Sequence, residues 1–449
     1  MEKNLTVGNP VKLILSFAIP LYIGNLFQQS YNIADTFIVG RTIGIDALAA
    51  VGSTGSINFL ILGFITGFGI GAAVITSQRF GAGDLEGVRK SFITTIIISI
   101  GLAVTLTIVS VLCVKPLLNF LQTPQEIIDN SYSYIVVIFY GIPTAMLFNL
   151  FANVMRAVGD SRTPLIFLSI ACVLNIVLDL VFILVFKTGL WGVALATVIA
   201  QLVSGLLCIP VIVKKMPMLK ITASDWNIDL KEIAKHLKIA LPVGFQMSII
   251  AIGSITVTYA LNQLGTLAVA AYSAAIKIDV LAYLILYSFG GAMTTYSAQN
   301  YGAHKLHRIR KGVTHISIIA CIYSVVVAVI FYFSGEFFPS LFLGWESAQT
   351  LSMARSYLVI STIFYPFLAL LFIIRQSLLG IGDSITPTIA GVMELVMRIF
   401  AALVLGNAFG FRGICLANPL AWIGAVIPVI IVFNIRMRKL MNKCPADKL

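Results

Sequence analysis

Long apolar runs, each closed by glycine, proline, asparagine or a cluster of charges, succeed one another along the whole chain. A helix needs about 20 apolar residues to cross the hydrocarbon core of a bilayer. The pattern therefore predicts about twelve spanning helices, at 13–38, 46–77, 91–113, 131–155, 164–186, 190–213, 237–262, 267–298, 313–334, 355–379, 385–407 and 412–435. The runs are too long and too evenly apolar for the alternating strands of an outer-membrane barrel. The expected fold class is an all-α polytopic membrane protein.

Composition agrees. The chain is 59% hydrophobic and 11% charged, with mean hydropathy +0.99, where a soluble domain carries roughly 25% charged residues. Its start, "MEKNLTVGNPVK", is polar and gives no removable signal peptide before the first apolar run. The net charge of +12 is a topology signal and does not indicate a nucleic-acid partner. With the N-terminus inside, the outer segments hold only Arg41, Lys115, Lys187, Arg355 and Arg412 of the 30 Lys and Arg residues. Lys277 and Arg398 stay at membrane depth, and the others fall on inner segments. Positive charge concentrates on the cytoplasmic side, so both termini are expected to face the cytoplasm of a cell whose inner membrane holds the chain. The six cysteines (Cys113, Cys172, Cys208, Cys321, Cys415, Cys444) have no C-x-x-C spacing and read as free thiols.

The chain also repeats itself. "QRFGAGDLEGVRK" (78–90) returns as "QNYGAHKLHRIRK" (299–311), "GIDALAAV" (44–51) as "GTLAVAAY" (265–272), and "LWGVALA" (190–196) as "FRGICLA" (411–417), all displaced by 221. "GDSRTP" (159–164) returns as "GDSITP" (382–387), displaced by 223. Each copy holds about six spans, an even number, so two pseudo-twofold-related six-helix lobes are expected: 1–213 and 237–449, the latter with a basic cytoplasmic tail. They are joined by a cytoplasmic linker, 214–236, read as solvated with a short amphipathic helix. Two similar bundles able to rock against each other make a transporter. A membrane-embedded enzyme would need a catalytic or metal constellation. The histidine pair His304 and His307 lies in a basic inner loop and reads as a solvated cluster, and there is no Walker A pattern. No cofactor or metal is expected.

Polar side chains at membrane depth are then the candidates for function, since each is costly in lipid. In "FQQSYNIADTFIVG" (27–40), Gln28, Asn32 and Asp35 are spaced by four and three and so share a helix face. Asn175 and Asp179 are i and i+4 in the fifth span; Thr197, Gln201 and Ser204 form a stripe in the sixth. Together they predict a wet cavity in the first lobe holding two carboxyl groups. A carboxylate in a partly desolvated cavity can take up and release a proton near neutral pH, which suits a proton-coupled carrier. The plainer alternative makes Asp35 a capping residue at the outer interface. In the second lobe, Lys277 and Asp279 are two apart and fall on different faces, at positions matching Ser56 and Asn58. Glu394 and Arg398, i and i+4, read as a structural ion pair. Glycines in "GFITGFGIGAA" (63–73) and "FGGAMTT" (289–295) favour close helix packing; Pro20 and Pro242 permit kinks in the first helix of each lobe.

These motifs resemble the multidrug and toxic compound extrusion (MATE) family. The marks are "QQSYNIADTFIVGRTIGIDALAAV", the twin Q-x-x-G-A segments with basic tails and the twin GDSxTP segments, and the resemblance spans essentially the whole chain. It implies two six-helix lobes in a V shape and efflux of cationic amphiphilic drugs, driven by H⁺ or Na⁺. Asp35, Asn175, Asp179 and Thr197 match the first-, fifth- and sixth-helix positions of the DinF-like branch; among bacterial members the chain is most similar to MepA-type exporters. The acid that the NorM-type branch carries in the seventh span is absent from "LPVGFQMSIIAIGSITVTYALNQLG". The expected function is antiport with the lipid bilayer and small-molecule cargo as partners, by a monomer. The rival reading is a lipid-linked oligosaccharide flippase of the same superfamily, which would favour a more cationic cavity.

Overall fold

A computed structural model of the chain describes residues 4–120, 123–226, 229–344 and 347–443. Cys444 and the end of the basic tail lie outside the described residues, among which the regular structure is helical, with no strand. The helices are α1 (Pro10–Thr42), α2 (Ile45–Ala82), α3 (Leu85–Phe120), α4 (Gln125–Tyr140), α5 (Ile142–Ala157), α6 (Arg162–Leu180), α7 (Leu190–Lys215), α8 (Leu230–Asn262), α9 (Thr266–Gly302), α10 (Leu306–Ser334), α11 (Phe337–Leu343), α12 (Ala348–Ile363), α13 (Tyr365–Gly380), α14 (Ile385–Phe400), α15 (Gly406–Phe409), α16 (Phe411–Cys415) and α17 (Ala417–Lys443). Ten helical stretches are long and apolar enough to cross a membrane, and two bent pairs raise the number to twelve. The chain is a multi-pass membrane protein.

The bent pairs are α4 with α5, at 46°, and α12 with α13, at 50°. Sequence periodicity ran straight through both, as 131–155 and 355–379. Each break is set by a proline in the first turn of the second helix, Pro143 in α5 and Pro366 in α13. A proline ring cannot donate the backbone bond that would continue the preceding helix. The two prolines are displaced by 223, so the bend belongs to the repeat. Two π-helical turns recur as well, Val181–Val185 after α6 and Ala401–Leu405 after α14.

The described chain forms two compact units, one holding Ile23–Ser248 and the other Leu5–Tyr22 with the residues from Ile249 onward. The units do not follow the sequence repeats: the first part of α1 packs with the second repeat, and the first part of α8 with the first. The repeated Q-x-x-G-A segments show why. In unit 2, Gln299 accepts the Leu5 N–H at 2.9 Å, Asn300 donates to Leu5 O at 3.2 Å, Lys305 donates to Thr6 O at 3.0 Å and Arg308 donates to Gly8 O at 2.9 Å. The segment entering α1 is thereby bolted to α9 and α10, with Leu5 fully buried. In unit 1, Arg89 donates to Asp225 at 3.2 Å, Arg79 pairs with Glu232 at 2.6 Å, and Ser91 meets His236 Nε2 at 2.8 Å. The segment entering α8 is bolted to α2 and α3 in the same way.

The bridge 214–236 is accordingly not a linker with its own helix. After α7 come 3₁₀ turns at Pro217–Leu219 and Ala223–Trp226, and Leu230 already opens α8. Those first turns of α8 have partners on α2 and α3, which is what keeps them continuous with the span. The α2 glycines also serve this packing. A Cβ on Gly67 would sit 2.5 Å from Val243 O and one on Gly71 2.8 Å from Ala240 Cα, so only glycine lets α8 approach so closely. The twin GDSxTP turns cap the helices that follow them. Asp160 accepts the Thr163 N–H at 3.0 Å before α6, and Asp383 accepts the Thr386 N–H at 3.1 Å before α14.

Candidate functional site

Unit 1 gathers polar side chains from α1, α6 and α7. Asp179 is the penultimate residue of α6, two positions before the π-helical turn, a local widening often found at functional sites. Asn175 lies one turn earlier on the same face, and α7 packs against α6 along its length. Asn175, Asp179 and Thr197 are 1%, 0% and 9% exposed; Asp35 is half-buried.

The four converge. With its amide turned the way that satisfies both ends, Asn175 Nδ2 donates to Asp35 Oδ1 at 2.9 Å and its Oδ1 accepts the Thr197 N–H at 3.2 Å. The carboxyl groups of Asp35 and Asp179 lie within interaction distance of each other. An ionised carboxylate only accepts, so a hydrogen bond between the two needs a proton on one of them. Asp179 Oδ1 meets no hydrogen-bond donor among the described residues. Asp35 is thus part of the buried cluster and not an interfacial cap. Two carboxyl groups this close repel when both are ionised, an arrangement suited to sharing one proton.

The rest of the α1 stripe lies elsewhere. Gln28 and Asn32 are exposed, and Asn32 donates to Gln29 at 3.2 Å. The residue one turn before Asp35 is Tyr31, and it takes the inward place. Its hydroxyl is 3.0 Å from Thr197 Oγ1 and lies near the Asp35 carboxyl. Sequence reasoning missed it, although the i, i+4 spacing from Asp35 was the available signal. Tyr134 on α4, 8% exposed, lies within electrostatic reach of both carboxyl groups. On α7, Gln201 is half-buried, outside the bonded cluster, and Ser204 is buried.

Unit 2 has its own buried network. Asp279, 1% exposed, accepts from Tyr365 at 2.6 Å, Tyr357 at 3.1 Å and Ser361 at 3.2 Å. Asn418 donates to Tyr357 at 3.3 Å and accepts from Arg398 Nε at 3.1 Å. Glu394 pairs with Arg398 at 3.2 Å, as its spacing predicted, and with Arg375 at 2.6 Å, which it did not. By the repeat displacements Tyr357, Arg398 and Asn418 stand where Tyr134, Asn175 and Thr197 stand in unit 1. The frame is repeated with different chemistry: an ion-pair network replaces the carboxyl pair. Lys277 takes no part; it is exposed, its ammonium 5.9 Å from the Phe342 ring centre.

The MatE family profile matches residues 20–181 and 242–404. The chain is 28% identical to a probable multidrug resistance protein, YpnP, of Bacillus subtilis (strain 168), over 94% of each chain. It is 23% identical to the multidrug export protein MepA of Staphylococcus saprophyticus, over 96% of this chain and 95% of that one. Its fold is similar to a solved outward-facing multidrug resistance MATE transporter of the MOP superfamily, with TM-score 0.90, 24% identity and coverage of 98% of both chains. With two matched segments that together cover most of its length, the chain belongs to the MatE family of membrane transporters and is not an enzyme.

Proposed function

We propose that the protein is a secondary antiporter of the cytoplasmic membrane that exports cationic, lipophilic small molecules in exchange for protons. The proximity of the Asp35 and Asp179 carboxyl groups carries this reading, because two acids this close favour sharing a proton and no basic side chain among the described residues pairs with either. Transport then follows from competition: uptake of a proton neutralises the charge that a cationic cargo needs, and its release restores it. Asn175, Thr197 and Tyr31 hold the two carboxyl groups in register. Na⁺ is the alternative coupling ion, but a close pair of carboxyl groups suits a shared H⁺. The flippase alternative draws little support, since Arg375 and Arg398 are committed to Glu394 and do not offer a free cationic surface for a pyrophosphate.

The test uses purified protein in proteoliposomes loaded with a pH-sensitive dye. Ethidium added to one side should move protons in the opposite direction without Na⁺ in any buffer. Transport that needs Na⁺ and moves no protons would overturn the reading.

A further inference from the structure

A cavity of about 430 Å³ opens in unit 2 between the end of α9, the turn after α13 and the cytoplasmic end of α17. Its walls are of two kinds. Ile381, Val432 and Ile435 make one side apolar, whereas Arg436, Lys439 and the Tyr301 ring edge the other. Arg436 is held in place: its Nε is 3.0 Å from Asp383, which is 1% exposed and is itself fixed by Thr386.

The position of the cavity is given by α17. Ile427, Ile431 and Ile435 are 53%, 52% and 47% exposed and follow at i, i+4 and i+8. This apolar, outward stripe is the face that hydrocarbon covers. It ends at Ile435, and Arg436, Arg438 and Lys439 follow at once, as expected at the cytoplasmic head-group level. The cavity thus straddles the line between acyl chains and phosphates.

We propose that this cavity binds one anionic phospholipid, its phosphodiester at Arg436 and Lys439 and the start of an acyl chain against Ile381, Val432 and Ile435. Charge supports the choice. Two cations and the Asp383 carboxylate leave a net single positive charge, which one phosphodiester neutralises. A free phosphate would leave the apolar wall without a partner, and a zwitterionic lipid would bring its own cation to a site that already has two. Basic pockets beside spanning helices on the cytoplasmic side suit such head groups.

Native mass spectrometry of the full-length protein in detergent tests the site, with dioleoyl phosphatidylglycerol, the phosphatidylcholine of the same chains and inorganic phosphate as probes. Wild type should keep one phosphatidylglycerol per chain in preference to phosphatidylcholine, and millimolar inorganic phosphate should not displace it. Occupancy should fall by about 30-fold in the Arg436→Ala/Lys439→Ala double variant. Lys439→Ala leaves the Arg436–Asp383 pair intact and should lose about fivefold on its own. Arg438→Ala, on the same helix but outside the cavity, should bind as wild type. Equal binding of the two lipids, displacement by phosphate, or an Arg438→Ala loss as large as that of Lys439→Ala would each overturn the proposal.

Discussion

Asp35 on α1 and Asp179 on α6, far apart in sequence, bring their carboxyl groups within interaction distance of each other. A hydrogen bond between them exists only while one of them is protonated. Replacing Asp179 by Asn makes that state permanent, because the amide can donate to Asp35 but cannot release a proton. Asp35→Asn keeps an acceptor for Asn175 but removes one carboxylate. Both variants should fold and insert as wild type, yet lose at least about tenfold of proton-driven ethidium transport in everted vesicles, the effect of ~1.4 kcal/mol. Wild-type transport in both would refute the role of the pair.

Tyr31 adds a second check on the same cluster. Its hydroxyl bonds Thr197 and lies near the Asp35 carboxyl, and a hydrogen bond contributes about 1 kcal/mol. Tyr31→Phe preserves the ring and removes only the hydroxyl. Transport should fall by about fivefold, corresponding to ~1 kcal/mol, with little change in melting temperature. Gln28→Ala and Asn32→Ala, whose side chains lie away from the carboxyl pair, serve as controls and should leave proton coupling unchanged.

How much of this could be read from residues alone depends on the kind of signal. Spans and repeat were legible because twenty apolar residues and a matched displacement are strong, redundant patterns. Asn175 and Asp179 were legible because a polar pair at i, i+4 in lipid has few innocent explanations. Asp35 was legible but its stripe was not: spacings of three and four are both compatible with one face, and tertiary packing selected Tyr31 over Asn32. Tyrosine carries no hydropathy penalty that would mark it. The bends at Pro143 and Pro366 were hidden because apolarity continues across them. The partnership of Arg375 with Glu394 links α13 to α14, and helical periodicity says nothing about contacts between helices.

The close approach of α8 to α2 depends on Gly67 and Gly71, where an added methyl group would meet backbone atoms of α8. Backbone cannot move aside as a side-chain end can. Gly71→Ala should therefore destabilise unit 1 by about 1–3 kcal/mol, the usual penalty of overpacking, seen as a lower melting temperature in detergent. Gly101→Ala is the control, since a Cβ there meets nothing within 4 Å. A Gly71→Ala protein as stable as Gly101→Ala would show that the two helices are not held this close.

The docked segment before α8 gives a pH effect with a defined sign. Bonds from the Thr222 hydroxyl and N–H, and the nearby Arg89 guanidinium, hold the Asp225 carboxyl below the usual carboxylate range. A depressed value in the folded state means that ionised Asp225 favours docking. That contribution is complete above about pH 4 and is lost as pH falls through the lower folded-state value. Hydrogen exchange of residues 217–226, corrected for its intrinsic pH dependence, should rise in acid. Asp225→Asn should show fast exchange already at neutral pH; unchanged protection there would remove Asp225 from the docking.

Glu394 is the one acid between two buried arginines, Arg375 and Arg398, which are 3% and 6% exposed. Desolvating two guanidinium groups is tolerable only while a carboxylate lies between them. Their like charges would otherwise repel, and Arg375 Nε and Arg398 Nη1 already lack acceptors among the described residues. Glu394→Ala should therefore cost about 3–5 kcal/mol and sharply lower the amount of folded protein recovered in detergent. Glu394→Gln should be milder, because the amide oxygen still accepts one bond. Removing one cation with the acid, as in Glu394→Gln/Arg375→Met, should recover much of the loss, since the site then carries one net positive charge, as in wild type, and not two. If the double variant is no more stable than Glu394→Ala, the network matters through packing and not through charge balance.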